Sequence, residues 1–125
     1  MLFRSKSVCC LVVGGPEEWK KKYEAYTKDI GISSIRFEEH VEPSRVPGFM
    51  RACDALVYPS PKTDHPYFTR DTSPLKIFEY MATEKPIVCA NLPPLHDALD
   101  ESSAFFYEPG DSSDLAQQIA FIMDN

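Results

Sequence analysis

Residues 73–90 read SPLKIFEYMATEKPIVCA, and the fold follows from how this stretch divides. Ser73-Pro74 is a helix start: the serine side chain can cap, and the N–H that proline lacks would have no partner in a first turn anyway. The helical pattern runs from Pro74 to about Thr83, and Lys85-Pro86 stops it. Pro86 to Ala90 is then a continuous apolar run of strand length, the pattern of a strand covered on both faces. A helix leading directly into such a strand is the second half of a βαβ unit.

Outward from this stretch the same alternation recurs. Apolar runs at Val8–Val13, Ala55–Tyr58 and Ala104–Tyr107, with a weaker one at Ser34–Phe37, are the remaining strands. A first helix is expected over Glu17–Ile30, with Pro16 ahead of it and Gly31 as its C′ residue. Its Trp19, Tyr23, Tyr26 and Ile30 keep helical spacing, while Lys20-Lys21-Lys22 reads as a solvated face. Further helices are expected over Arg45–Cys53, with Pro47 in the first turn, over a short Pro94–Leu99, and over Ser113–Met123 behind Asp111. Strands alternating with helices predict a Rossmann-like three-layer α/β/α sandwich with a five-stranded parallel sheet in the order 2-1-3-4-5. With 125 residues, 43% of them hydrophobic, the chain is expected to be one domain over residues 1–125.

Composition removes several function classes. A net charge of -6 excludes a sequence-independent nucleic-acid binder, which needs a basic face. Cys9, Cys10 and Cys89 fall in apolar runs and, with Cys53, are expected as small core residues; none has zinc-ligand spacing, and no metal site is expected. His40, His65 and His96 are scattered and expected on the surface. Two basic residues at Arg4 and Lys6 are not followed by a signal-peptide core, and no apolar run approaches the roughly 20 residues of a membrane span. A soluble, cytoplasmic protein is expected.

In an open α/β sheet ligands bind beyond the carboxyl ends of the strands. That places attention on the long loop Ser60–Thr72 and on the helix after it. With Ser73 as N-cap and Pro74 as first helical residue, the amides of Leu75 and Lys76 point at any ligand there, and the Lys76 ammonium adds a charge suited to phosphate. Glu79 lies one turn beyond Leu75, beside an apolar stripe of Leu75, Phe78 and Ala82, and its side chain leans back toward the helix start.

Thr72 to Ala82, followed by Lys85-Pro86-Ile87-Val88, resembles the donor-site signature of the group 1 (family 4) retaining glycosyltransferases, enzymes of two Rossmann-like domains (the GT-B architecture). The order Leu11-Val12-Val13-Gly14-Gly15, then His40-Val41, then Cys53 to Ser60 is similar as well, so the resemblance covers nearly the whole chain. It implies the C-terminal, donor-binding domain of a glycosyltransferase that moves a sugar from a nucleoside diphosphate to an acceptor hydroxyl with retention, without an obligatory metal or other cofactor. In that family a Glu-x7-Glu pair serves the donor. Glu79 matches its second member, which binds the ribose hydroxyls; Asp71, a shorter acid, stands at the first, which contacts the sugar. The resemblance further implies donor contacts from Thr72, Ser73, Pro74, Leu75 and Lys76, a base contact around His40 and Val41, and Gly15 near the donor. Asp71, Lys76 and Glu79 are the candidates for catalysis.

The sequence also departs from the family pattern. Before the Leu11 strand the family carries another strand, ending in a Gly-Arg loop with a downstream Lys, and an acceptor domain ahead of that. The chain is therefore expected to be a fragment or one subunit of a split enzyme, inactive in isolation, with an acceptor domain or partner subunit and membrane association only through the missing half. A non-catalytic nucleotide-sugar-binding or assembly module is the alternative. A flavodoxin-like cofactor binder would need a phosphate loop where Gly14-Gly15-Pro16-Glu17-Glu18 places acid. No Gly-x-Ser-x-Gly elbow, Walker loop or Gly-x-Gly-x-x-Gly is present.

Overall fold

A computed structural model describes residues 8–125, so the reading of the first seven residues lies outside what it describes. The chain divides into two compact units, one before Gly48 and one from Gly48 to Asn125.

The first unit opens with strand β1 (Cys10–Val13), helix α1 (Glu17–Asp29) and strand β2 (Ile35–Glu38). The two strands pair in parallel, Cys10 opposite Ile35 and Val13 opposite Glu38. Helix α1 begins after Pro16 with Glu17 and Glu18 in its first turn, where acids favour the helix dipole. It ends before Gly31, which takes φ +72° as a left-handed C′ residue. A 3-10 turn at Pro43–Arg45 leads into helix α2 (Val46–Ala52), within which the division between the units falls.

The second unit holds strand β3 (Leu56–Tyr58), a single helical turn α3 (Pro66–Thr69), helix α4 (Leu75–Met81), strand β4 (Ile87–Ala90), a 3-10 segment at Pro93–Asp97, strand β5 (Phe105–Tyr107) and helix α5 (Ser112–Asp124). Its sheet is parallel throughout, in the order β3-β4-β5. β4 is central and all four of its residues are buried. Around it collect Ile77 of α4, Leu92, Leu95, Leu99, Ala104 and Tyr107, with Leu115, Ile119 and Ile122 of α5 packed against the cluster. Complete burial of a side chain such as Ile77 or Val88 stabilises the fold by about 1.5–3 kcal/mol each. Asp111 caps α5, its carboxylate accepting from the amides of Ser113 and Asp114 at 3.0 Å each.

The α/β class, the parallel strands and the helices between them are as expected, and strand neighbours follow the expected order within each sheet, 2-1 and 3-4-5. The ladders among the described residues are β1-β2, β3-β4 and β4-β5, and the full five-strand order is not among what they show.

Three expectations about burial are also corrected. Cys89 is buried, but Cys9 and Cys10 are exposed and Cys53 is intermediate. The reason is that, among the described residues, β1 has one ladder partner and its residues are not covered on both faces. Trp19, Tyr23, Tyr26 and Ile30 of α1 are all exposed, and the buried residue of that helix is Thr27. A two-stranded sheet, with strands about 4.8 Å apart, cannot cover the flank of a helix about 10 Å across. α1 instead meets β2 through the Tyr23 ring, stacked 6.2 Å from Phe37. In α4 the expected apolar face is turned outward, Leu75 and Phe78 being exposed, while Ile77 and Tyr80 face the core.

Candidate functional site

The loop after β3 leads from Pro59 into α4, and its two ends are held differently. At its beginning, the Ser60 amide donates to the Tyr107 hydroxyl at 3.0 Å, and the Ser60 carbonyl accepts from the Gly110 amide at 3.0 Å. At its end, Thr72 is buried, and its hydroxyl shares its hydrogen between the carbonyls of Tyr67 at 2.7 Å and Phe68 at 3.3 Å. The Thr72 hydroxyl thus stabilises the loop itself. Between these ends stands α3, which sequence patterning missed: Pro66 occupies its first turn, and His65 Nδ1 accepts from the Tyr67 amide at 3.2 Å. The available signal was a capping side chain immediately before a proline, without the periodicity that a longer helix shows.

Ser73 is exposed and Pro74, not Ser73, is the N-cap residue of α4; no side chain caps this end. The Pro74 carbonyl accepts the first helical bond, from the Phe78 amide at 3.2 Å. The amides of Leu75, Lys76 and Ile77 precede that bond and have no intrahelical acceptor. The one-residue shift from the expected start leaves the same group of peptide N–H groups at the helix opening.

Lys76 and Glu79 meet. The Lys76 ammonium donates to the Glu79 carboxylate at 2.7 Å, both side chains being about half exposed. Glu79 also touches the electrostatics of its neighbour: burial pushes the Tyr80 phenol upward, and the Glu79 charge adds to that shift. The Tyr80 hydroxyl donates to the Val57 carbonyl at 3.1 Å, tying α4 to β3. Asp71 is exposed and engaged by its neighbour Arg70, whose guanidinium reaches both carboxylate oxygens at 3.0 and 3.3 Å. Thus Asp71, Thr72, Ser73, Pro74, Leu75, Lys76 and Glu79 lie on one continuous segment of the second unit.

Gly15, His40 and Val41 belong to the first unit. Gly15 follows the carboxyl end of β1 with φ +87°, and His40-Val41 follows the carboxyl end of the paired strand β2. The Gly14 amide donates to the Glu38 carbonyl at 3.1 Å, which keeps these two strand ends together. His40 and Gly15 are exposed. The other histidines have local partners: His65 caps α3, and His96 bonds Asn91 at 2.6 Å while stacking on Phe106.

Among the described residues no three His, Cys, Asp or Glu side chains come together as metal ligands. No helix of the described residues is long and apolar enough to cross a membrane.

Residues 2–125 match the family described as glycosyl transferases group 1. No curated protein shows a significant sequence match to the chain. Among solved structures, the chain is similar to Anabaena Alr3699/HepE in complex with UDP and glucose, at 22% identity and a TM-score of 0.73, over 94% of this chain and 31% of that one. It is likewise similar to Anabaena Alr3699/HepE in complex with UDP-glucose, at 23% identity and a TM-score of 0.65, over 94% of this chain and 34% of that one. The likeness establishes a shared fold, and the chain spans about a third of the length of those structures.

Proposed function

We propose, from the premise that the chain belongs to the group 1 glycosyl transferases, that it binds the donor of a glycosyl transfer reaction, a nucleoside-diphosphate sugar. The observation that carries the reading is the family match over residues 2–125, which includes the segment from Asp71 to Glu79. In this reading the amides opening α4 and the Lys76 ammonium meet the diphosphate, and Glu79 accepts from the ribose hydroxyls. Asp71 is assigned to the transferred sugar, the base contact that the family resemblance implies is assigned to His40 and Val41, and Gly15 is assigned a place near the donor. The chain acts as a single donor-binding domain, the C-terminal half of a two-domain GT-B enzyme of the cytoplasm. An acceptor domain or partner subunit supplies the rest, including any peripheral contact with a membrane.

The ion pair between Lys76 and Glu79 gives the site a resting arrangement. An arriving diphosphate competes for the ammonium and frees the carboxylate to receive the ribose. An exposed pair of this kind contributes only about 0–1 kcal/mol, so it opposes the exchange weakly. As the bond from the sugar to the diphosphate breaks and one to the acceptor hydroxyl forms, the leaving oxygens gain negative charge. Donors already aimed at that charge stabilise the transition state more than the ground state. This chemistry needs no resident metal, and the transfer proceeds with retention at the anomeric carbon.

UDP is the first donor nucleotide to test, because Anabaena Alr3699/HepE binds it in the structures that share this fold. Calorimetric titration with UDP-, GDP- and ADP-glucose should show binding of one of them. Glu79→Ala should weaken that binding about tenfold or more, the value of one or two hydrogen bonds to a charged group. Equal affinity in wild type and Glu79→Ala would contradict the ribose contact. Transfer to an acceptor should appear only when the acceptor half is supplied.

A further inference from the structure

We infer that Tyr107 and Gly110 are positioning residues for the donor site, holding the root of the loop that delivers Asp71 to Lys76. The inference rests on the reading that this segment binds the donor. Its basis is a set of contacts that none of the expected site residues makes. Tyr107 closes β5, two strands away from β3 in the sheet, yet it holds the segments leaving both other strands. Its hydroxyl, in a buried contact, accepts from the Ser60 amide at 3.0 Å, just after β3. Its carbonyl accepts from the Asn91 amide at 2.9 Å, just after β4.

Gly110 completes the hold. The Gly110 amide donates to the Ser60 carbonyl at 3.0 Å, so both backbone polar groups of Ser60 are bound, the amide by the end of β5 and the carbonyl by the turn that follows it. Gly110 has φ +78°, and a Cβ placed on it would lie 2.7 Å from Lys62 Cβ and 2.8 Å from the Lys62 nitrogen. The turn therefore approaches the loop backbone more closely than any side chain allows, in a conformation that only glycine adopts without strain. The Glu108-Pro109-Gly110-Asp111 sequence, with the Asp111 amide donating to the Glu108 carbonyl at 3.0 Å, builds the turn that makes this approach. Ser60 ties the root of the loop to β5 and the turn after it, while the Thr72 hydroxyl folds the loop's end onto α3, so the path toward α4 starts from a fixed point and is stiffened before the helix begins.

The test combines hydrogen exchange, which needs no ligand, with binding. Tyr107→Phe removes the acceptor and keeps the ring; Gly110→Ala intrudes from the other side. Both should speed exchange in peptides covering residues 59–64 at least tenfold while β4 and α5 stay protected. Both should raise the dissociation constant of the tightest binder among UDP, GDP and ADP about fivefold or more, measured well below the thermal midpoint. Ile119→Val or Ile119→Ala, whichever matches the loss of thermal midpoint in Tyr107→Phe, should leave that constant unchanged. Unchanged exchange at residues 59–64 in Tyr107→Phe would overturn the inference, as would an equal affinity loss in the Ile119 variant. Accelerated exchange together with no binding of any of the three nucleotides by wild type would sink the donor reading and the positioning role with it, while locating the failure in the ligand, not in the hold on the loop.

Discussion

Lys76 and Glu79, 2.7 Å apart and one turn along α4, form an exposed ion pair. A lysine in the first turn opposes the helix dipole, and the carboxylate three residues later offsets it locally. A second residue of the same segment carries strain. Glu84 sits at φ 58°, just after α4 and before β4, where a residue without a Cβ is at ease. Glu84→Gly should therefore stabilise the protein by about 0.5–1 kcal/mol, the relief of the left-handed conformation exceeding the added chain entropy. Thermal unfolding should show a midpoint raised by a few degrees; an unchanged or lower midpoint would place the gain elsewhere. From the sequence, Lys76 and Glu79 stood out as candidate site residues by their type and spacing, and the structure places both on the first turns of α4. Their pairing was not legible, since it depends on two rotamers. Nor was the role of Tyr107, whose hydroxyl reaches a residue 47 positions away.

At the scale of elements, β4 is the best-determined part of the chain, and the sequence shows why. An apolar run of four residues bounded by Pro86 and Asn91 is too short for a buried helix and fits a strand with neighbours on both edges and cover on both faces, and all four residues are buried. Burial pushes the Cys89 thiol from its ordinary 9.0 up to about 12. In the unfolded chain the thiol loses its proton near pH 9, while in the folded protein it keeps it to about pH 12, so the unfolded state binds fewer protons in between. Stability is therefore full below pH 9 and falls as pH rises through that window, by at most about 1.4 kcal/mol per pH unit from this group. Denaturant unfolding of wild type and Cys89→Ala between pH 8 and 10.5 should show a steeper decline for wild type; parallel curves would contradict the burial of that thiol. The same apolar-run logic overreached at β1, where an equally apolar sequence has one ladder partner among the described residues and stays largely exposed. A pattern of residues specifies a face that can be covered, but covering it takes other elements. α4 shows the complementary limit: its helical span was legible, whereas the choice of Ile77 and Tyr80 as the core face is made by the sheet beneath it.

At the scale of the whole molecule, the chain spans about a third of the structures whose fold it shares and matches the group 1 glycosyl transferases over residues 2–125. With a net charge of -6, the proposed donor diphosphate must be met by local groups, and in the proposal these are Lys76 and the peptide N–H groups opening α4. The α/β class was legible in the alternation of runs and helices. The division into two sheets was not, because parallel pairing between sequence-distant strands leaves no local signature. The most direct measurement is an amide spectrum of the isotopically labelled chain titrated with UDP, GDP and ADP. One of these should move the resonances of Leu75, Lys76, Ile77 and Glu79 in saturable fashion, with smaller changes after β1 and β2 at Gly15, His40 and Val41. If saturating nucleotide left the first turn of α4 where it was, or if none of the three produced any shift, the donor-site account would be contradicted.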